Sequence, residues 1–177
     1  MRLATWNVNS IRTRVTRTVE FAVREDIDVL AMQEIKCKPE QFPYAPFEEA
    51  GYHVEVHGLN QWNGVAIASR LPVTDVRTSF DGMPGFAKGH EGPDAPLEAR
   101  ALGVMVEGVR VWSLYVPNGR ALDDPHYLYK LHWLEQLKKS TAAELSANPD
   151  LPLALVGDFN IIPFDVDNGD PDIVIGR

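Results

Sequence analysis

Four short apolar runs, each with the length and composition of a β-strand, stop on a side chain able to hold a hard metal ion or a phosphate. They are Thr5-Trp6-Asn7, Met32-Gln33-Glu34, Tyr115-Val116-Pro117-Asn118 and Gly157-Asp158-Phe159-Asn160. A single such ending carries little information. Four of them, drawn from both ends of the chain, predict strand ends that converge on one polar site, because a rigid sheet positions reactive groups better than loops do.

The segments between them fit a layered α/β molecule. Leu3–Trp6 reads as a strand, Asn9-Ser10 as a cap, and Ile11, Val15, Val19 and Ala22 as the apolar face of a helix. The run Val29–Met32 then makes a buried strand, which completes a strand–helix–strand unit. Three prolines between 39 and 50 allow only short helical pieces. Strands follow around Tyr52–Val56 and Val65–Ala68, with an edge strand in Pro72–Thr78. Phe80–Pro96 reads as a long loop. Ala99–Val106 and Val109–Val116 form a hairpin about Glu107-Gly108. Asp123-Asp124-Pro125 opens the longest helix, whose leucine stripe (Leu128, Leu131, Leu134, Leu137, with Thr141 and Leu145) is expected to lie on a sheet, and Leu153–Val156 delivers Gly157-Asp158. Hairpins mixed with crossover helices give an α/β or α+β fold, with mixed sheets and helices packed outside.

At 177 residues and 45% hydrophobic, the sequence supports one globular domain over 1–177 with a sizeable core. No apolar run approaches the ~20 residues of a membrane helix, and no signal-like segment opens the chain, so a cytoplasmic protein with no membrane contact is expected. The single cysteine, Cys37, has no disulfide partner in the chain and no metal-ligand spacing around it. A net charge of −8 argues against non-specific coating of nucleic acid. Cations nonetheless cluster beside the strand ends: Arg12, Arg14 and Arg17, then Lys36 and Lys38, then Arg120. The five histidines, including His90, His126 and His132, form no zinc-like pair, and no glycine-rich phosphate loop indicates a nucleotide cofactor.

Glu34 and Asp158 are hard oxygen donors of the kind Mg²⁺ prefers, and Asn7 and Asn160 can complete a shell or orient water without adding negative charge. Hydrolysis of a phosphodiester needs neutralised charge, an aligned and deprotonated water and a stabilised leaving alkoxide, tasks that metal and carboxylate chemistry covers. Asp158 reads as base with Asn160 as orienter, and Gly157 permits close backbone approach. Each motif alone also has a plain structural reading. Gly-Asp-x-Asn can be an Asx turn, Glu34 a solvated strand end, Asn7 a cap and Tyr115 a core residue.

Taken in order, Thr5-Trp6-Asn7-Val8-Asn9-Ser10-Ile11-Arg12, Leu30-Ala31-Met32-Gln33-Glu34-Ile35-Lys36, Asn63-Gly64-Val65-Ala66, Leu114-Tyr115-Val116-Pro117-Asn118-Gly119 and Gly157-Asp158-Phe159-Asn160-Ile161 closely resemble the exonuclease III family of AP endonucleases. That family sits within a wider superfamily of metal-dependent endonucleases, exonucleases and phosphatases. The resemblance implies a four-layer α/β sandwich of two mixed sheets with outer helices. It implies Mg²⁺- or Mn²⁺-dependent hydrolysis of double-stranded DNA at abasic sites or 3′ ends. Asn7, Glu34, Asp158 and Asn160 then correspond to metal and water-positioning residues, and Tyr115 and Asn118 to a phosphate-contacting pair. Arg12, Lys36 and Arg120 correspond to DNA contacts, and Arg100 and Lys130 to weaker matches.

The resemblance covers about the first two-thirds of the family's domain. Pro163, Asp165 and Asp167 still fit the pattern, whereas 168–177 departs from it, and no Asp-His pair is present. A C-terminally truncated chain is therefore expected, with the second sheet incomplete, most of its strands missing, and self-association through an uncovered, apolar face. Two other readings stand beside the nuclease: a superfamily phosphoesterase acting on phosphoinositides or nucleotides, and a non-catalytic remnant or subunit that binds DNA or a partner.

Overall fold

The computed structural model describes residues 1–87 and 94–164; His90, Asp165, Asp167 and the segment 168–177 lie outside the described residues. Eight strands and three α-helices follow one another as β1 (Leu3–Asn7), α1 (Val15–Arg24), β2 (Val29–Gln33), α2 (Tyr44–Glu49), β3 (His53–His57), β4 (Val65–Ser69), β5 (Val73–Arg77), β6 (Ala101–Val106), β7 (Val109–Tyr115), α3 (Pro125–Ala147) and β8 (Leu153–Asp158). The strands form two mixed sheets, in the orders β1-β2-β4-β3 and β5-β6-β7-β8. In each sheet one edge pair is parallel, β1 with β2 and β7 with β8, and the other pairings are antiparallel.

The two sheets pack face to face through Val29, Ala31, Val65 and Ile67 on one side and Leu102, Val104, Val106 and Val111 on the other. Alternation along each strand sends the intervening residues outward. Leu30, Met32, Ala66 and Ala68 meet Ala22 of α1 and Phe47 of α2. Ala101, Trp112 and Leu114 meet Trp133 and Leu137 of α3. Helix, sheet, sheet and helix give the four expected layers. Gly103 leaves the space in which the Trp112 ring sits, since a Cβ there would come within 2.8 Å of the ring. The β6–β7 turn is the expected tight one, with φ of +48° at Glu107 and +81° at Gly108. No helix among the described residues is long and apolar enough to cross a membrane.

Three expectations are corrected. Asn9-Ser10 does not cap α1: both residues have positive φ, a 3₁₀ turn at Ile11–Thr13 precedes the helix, and the Ser10 side chain makes no capping bond. Asp124 does cap α3, accepting from the His126 backbone N–H at 2.8 Å, but only the later part of the leucine stripe, Leu134 and Leu137 with half-buried Thr141 and Leu145, lies towards the sheet. Leu128 and Leu131 are 68% and 45% exposed, while His126, Tyr129, Trp133 and Leu137 are buried. The outer face of the second sheet presents Trp112, with Phe80 of the loop after β5 beside it, and rings fill that surface: Phe80 meets Trp133 edge-on at 4.9 Å and Phe86 stacks on Tyr129 at 5.0 Å.

The third correction concerns only the extent to which the second sheet is incomplete: instead of lacking most of its strands, it carries four among the described residues, as many as the first, with α3 over its outer face. Among the described residues, one side of the sandwich stays open. There the edge strands β1 and β8 pack beside each other with their residues largely half-buried, and Ile161, Ile162 and Phe164 are exposed just beyond β8.

Candidate active site

The C-terminal ends of β1, β2, β7 and β8 meet at one end of the inter-sheet space. Alternation places Asn7, Tyr115 and Asp158 on the inward faces of their strands, in line with Leu3, Val111 and Val156 of the inter-sheet core. Glu34 needs a different device. A continued strand would send it outward with Met32, but a φ of +53° breaks the alternation and returns its carboxylate to the site. Of the nine non-glycine residues with positive φ among the described residues, six lie in the loops around this point: Asn9, Ser10, Glu34, Lys36, Arg120 and Asn160. Such backbone costs of order 1–3 kcal/mol per residue and concentrates at functional sites. Gly157, with φ of +147°, brings β8 so close to β7 that a Cβ would fall 1.9 Å from the Leu114 carbonyl oxygen.

The centre is a chain of hydrogen bonds between the sheets. The Asn7 Nδ2 group donates to Glu34 Oε1 at 2.9 Å and to Asp158 Oδ2 at 2.7 Å, so two carboxylate oxygens bracket one amide nitrogen. Tyr115 donates its hydroxyl to Glu34 Oε1 at 3.0 Å. Lys36 pairs with Glu34 Oε2 at 2.8 Å and donates to Asn9 Oδ1 at 2.6 Å. The backbone N–H of Asn160 donates to Asp158 Oδ1 at 2.9 Å. Burial raises the pKa of the Glu34 carboxyl, but the bonds from Asn7, Lys36 and Tyr115, with the Lys36 charge, outweigh it and hold the group below the ordinary carboxylate value. The Tyr115 phenol is pushed up to about 12 by burial, with the adjacent Glu34 charge and hydrogen bond adding to the shift.

Asn7, Glu34, Tyr115 and Asp158 thus form one cluster, with Lys36 inside it. Asn160 touches it through its backbone, while its side-chain Nδ2 donates to the Val116 carbonyl at 2.8 Å. Asn118 stands apart from that cluster, in a groove shared with Arg120, Tyr127, Lys130 and Asn160. Its Oδ1 accepts from the Arg120 N–H at 2.8 Å. Arg12 lies exposed on the 3₁₀ turn, and the Arg120 guanidinium reaches Asp124 at 3.7 Å.

Several neighbours had no assigned role in the sequence. Arg100, 7% exposed, lies over the Tyr115 ring at 4.9 Å and pairs with Glu98 at 2.7 Å, and Glu98 also accepts from Asn63 at 3.1 Å. Lys130 donates to the Asn160 carbonyl, and partial burial lowers its pKa against the pull of Asp158. The signals were present in Glu98-Ala99-Arg100 and Asn63-Gly64, but only the folded hairpin brings them behind Tyr115.

The donor set fits a hard divalent cation. Two carboxylates that converge on one point, flanked by amides, match Mg²⁺, which keeps several waters and takes one or two carboxylates. Among the described residues no group of three or more His, Cys, Asp and Glu side chains is placed to hold a metal ion, so the fit rests on these two carboxylates with water and substrate oxygens completing the shell.

Comparison with known proteins agrees with this architecture. The chain is 27% identical over 170 residues to exodeoxyribonuclease III of Haemophilus influenzae, covering 96% of this chain and 61% of that protein. It superposes on a 3′ phosphatase from Neisseria bound to product DNA hairpin with a TM-score of 0.84 at 35% identity, covering 98% of this chain and 63% of that one. An AP endonuclease from Archaeoglobus fulgidus gives a TM-score of 0.81 at 36% identity, with the same two coverages. The chain therefore spans less than two-thirds of the length of these relatives. A family-wide sequence pattern matches from residue 4 to residue 176, and on that match the chain belongs to the Endonuclease/Exonuclease/phosphatase family.

Proposed function

We propose that this chain forms the part of a DNA-repair nuclease that hydrolyses phosphodiesters in double-stranded DNA, at abasic sites or 3′ ends, with Mg²⁺ or Mn²⁺. The observation that carries the reading is the Asn7 amide bonded at once to Glu34 and Asp158, which joins carboxylates from the two sheets at a common point. The relatives named above act on DNA or are solved with it, which favours DNA over a small phosphoester.

In this reading Glu34 and Asp158 would hold the cation, and Asn7 fixes the two carboxylates relative to each other. When bound, the ion supplies positive charge beside the phosphate oxygens, where negative charge develops. Asp158, steadied by the Asn160 backbone N–H, takes the proton of the attacking water. A phenol pushed up to about 12 keeps its proton at physiological pH, so on substrate binding Tyr115 can turn its one O–H from Glu34 to a phosphate oxygen. Asn118, in the groove with Lys130, is a second phosphate contact, and Arg120 of that groove, exposed Arg12 on the 3₁₀ turn and Lys36 beside Glu34 supply cations for the DNA backbone.

The test is cleavage of a labelled abasic duplex and of a duplex with a 3′ phosphate, with Mg²⁺ or with EDTA. Metal-dependent cleavage that Asp158→Asn abolishes is expected. Cleavage that persists in EDTA or in Asp158→Asn, or no cleavage with either divalent ion, overturns the reading. The open side along β1 and β8, with Ile161, Ile162 and Phe164 beside it, favours a second property, self-association, which concentration-dependent elution on size exclusion reads directly.

A further inference from the structure

Directly beneath the cluster, one step deeper between the sheets, lies a polar layer that the proposed chemistry does not use. Gln33 is 1% exposed and Ser113 fully buried, one residue from Glu34 and two from Tyr115. Gln33 Nε2 donates to Ser113 Oγ at 3.0 Å and to Thr5 Oγ1 at 3.1 Å, and Ser113 Oγ donates to the Met32 carbonyl at 3.0 Å. Ser113, from the second sheet, is thereby bonded twice to β2 of the first. Below this layer the interface is apolar, through Ala31, Val29 and Val111.

A buried amide and hydroxyl contribute little net stability over apolar groups of the same shape, and leaving one of them unpaired costs about 1–3 kcal/mol. Stability alone therefore gives no reason for Gln33 and Ser113. Direction does. Apolar sheet faces tolerate small sliding movements, whereas a hydrogen bond fixes distance and angle. The cluster above is assembled half from each sheet, Asn7 and Glu34 from one and Tyr115 and Asp158 from the other. A slide of ~1 Å would part the bonds that cross between them, and a misplacement of that size costs on the order of 10²-fold in rate.

The geometry points to Gln33 and Ser113 as positioning residues that pin the register of the two sheets under the site, with Thr5 closing the layer at the open edge. The importance of that register for catalysis rests on the nuclease reading above; the pinning itself does not.

The experiment is the double variant Gln33→Leu/Ser113→Ala, which replaces the two buried partners by apolar groups; the third, Thr5, is exposed and turns its hydroxyl to water, so no buried donor is orphaned. Its crystal structure reads the Asn7–Asp158 and Tyr115–Glu34 separations, and Mn²⁺ titration by electron paramagnetic resonance, well below the melting temperature, reads affinity. The expected result is a folded protein of near-parental melting temperature in which at least one separation grows by more than ~0.5 Å and Mn²⁺ binds about 10-fold or more weakly. Unchanged separations in the folded variant, with Mn²⁺ affinity within about two-fold of the parent, overturn the inference. If the double variant does not fold, Ser113→Ala, which keeps Gln33 paired with Thr5, is judged by the same criteria. Absence of Mn²⁺ binding in the parent counts against the nuclease reading, and the two separations then decide the positioning role alone.

Discussion

Replacing Asn7 by aspartate turns one NH₂ group into an oxygen at almost constant shape, at the point where the site is most tightly tied. The parent amide makes two bonds to carboxylates, at 2.9 and 2.7 Å. Bonds to charged groups are worth about 1.5–3 kcal/mol each. The site is half open to water, so the lower figure applies and the two sum to about 3 kcal/mol. In Asn7→Asp three carboxylates crowd together, and like charges raise the pKa of at least one of them in the folded state. The folded variant then binds more protons than the unfolded chain between the ordinary carboxylate range near 4 and the raised value, so its stability falls as pH climbs through that window. Melting curves followed by circular dichroism in EDTA should therefore show a deficit of about 6–12 °C at neutral pH, narrowing towards pH ~4. A divalent cation reverses the repulsion, and ligand at ~100 times its Kd adds about 2.7 kcal/mol. Mg²⁺ should raise the melting temperature of the variant more than that of the parent. Equal melting temperatures of variant and parent in EDTA at neutral pH, or an equal Mg²⁺ response, would refute the arrangement of Asn7 between two ionised carboxylates.

Three further outcomes follow from the packing and the site. Trp133→Ala should cost about 3–5 kcal/mol in urea unfolding, while Leu128→Ala changes stability by no more than ~0.5, and equal losses would mean that Leu128 lies on the buried face of α3 after all. Gly157→Ala forces a Cβ against the Leu114 carbonyl and should cost about 3 kcal/mol or more by the same measurement; a loss below ~1 would show that β7 and β8 are not so close. The Glu34 carboxyl is held below its ordinary value, so its contribution is complete above the unfolded-state pKa and is lost as pH falls through the lowered folded value. Tyr115→Phe removes one donor responsible, so the Glu34 carboxyl resonance in NMR should titrate at higher pH than in the parent, and coincident curves would exclude the Tyr115 bond as a cause.

The strand ends were legible because two signals coincide at each: an apolar run that must be buried and a polar side chain where it stops. Convergence of Asn7, Glu34, Tyr115 and Asp158 follows from parallel edge pairs in both sheets, and pattern alone reaches that far. The buried face of the first turns of α3 was not legible from a leucine count, although Leu134 and Leu137 do pack as the stripe predicted. Leu128 and Leu131 satisfy the helical period as well as Tyr129 and Trp133 do, and the choice is made by the shape of a sheet surface that carries Trp112, with Phe80 beside it. Asn9 was ambiguous for a chemical reason. The same short amide suits a cap or a left-handed turn, and here it takes the turn and accepts from Lys36. Glu98, Arg100 and Asn63 act together only because the β6–β7 hairpin and the loop before β4 meet behind Tyr115.

The left-handed backbone at Glu34, Lys36 and Asn160 carries a consequence for how this sequence can change over time. Glycine would relax each position, so mutation and selection for folding alone push Glu34 and Lys36 towards glycine or asparagine, and Asn160, already the residue that tolerates this region best after glycine, towards glycine. Only a requirement for a carboxylate, an ammonium or an amide at those points opposes the drift. Lineages that have abandoned the chemistry should relax there before their cores change, and lineages that still perform it should keep the strain. The conformation of three residues is therefore a gauge of use, one that can be compared among descendants of this chain without any assay.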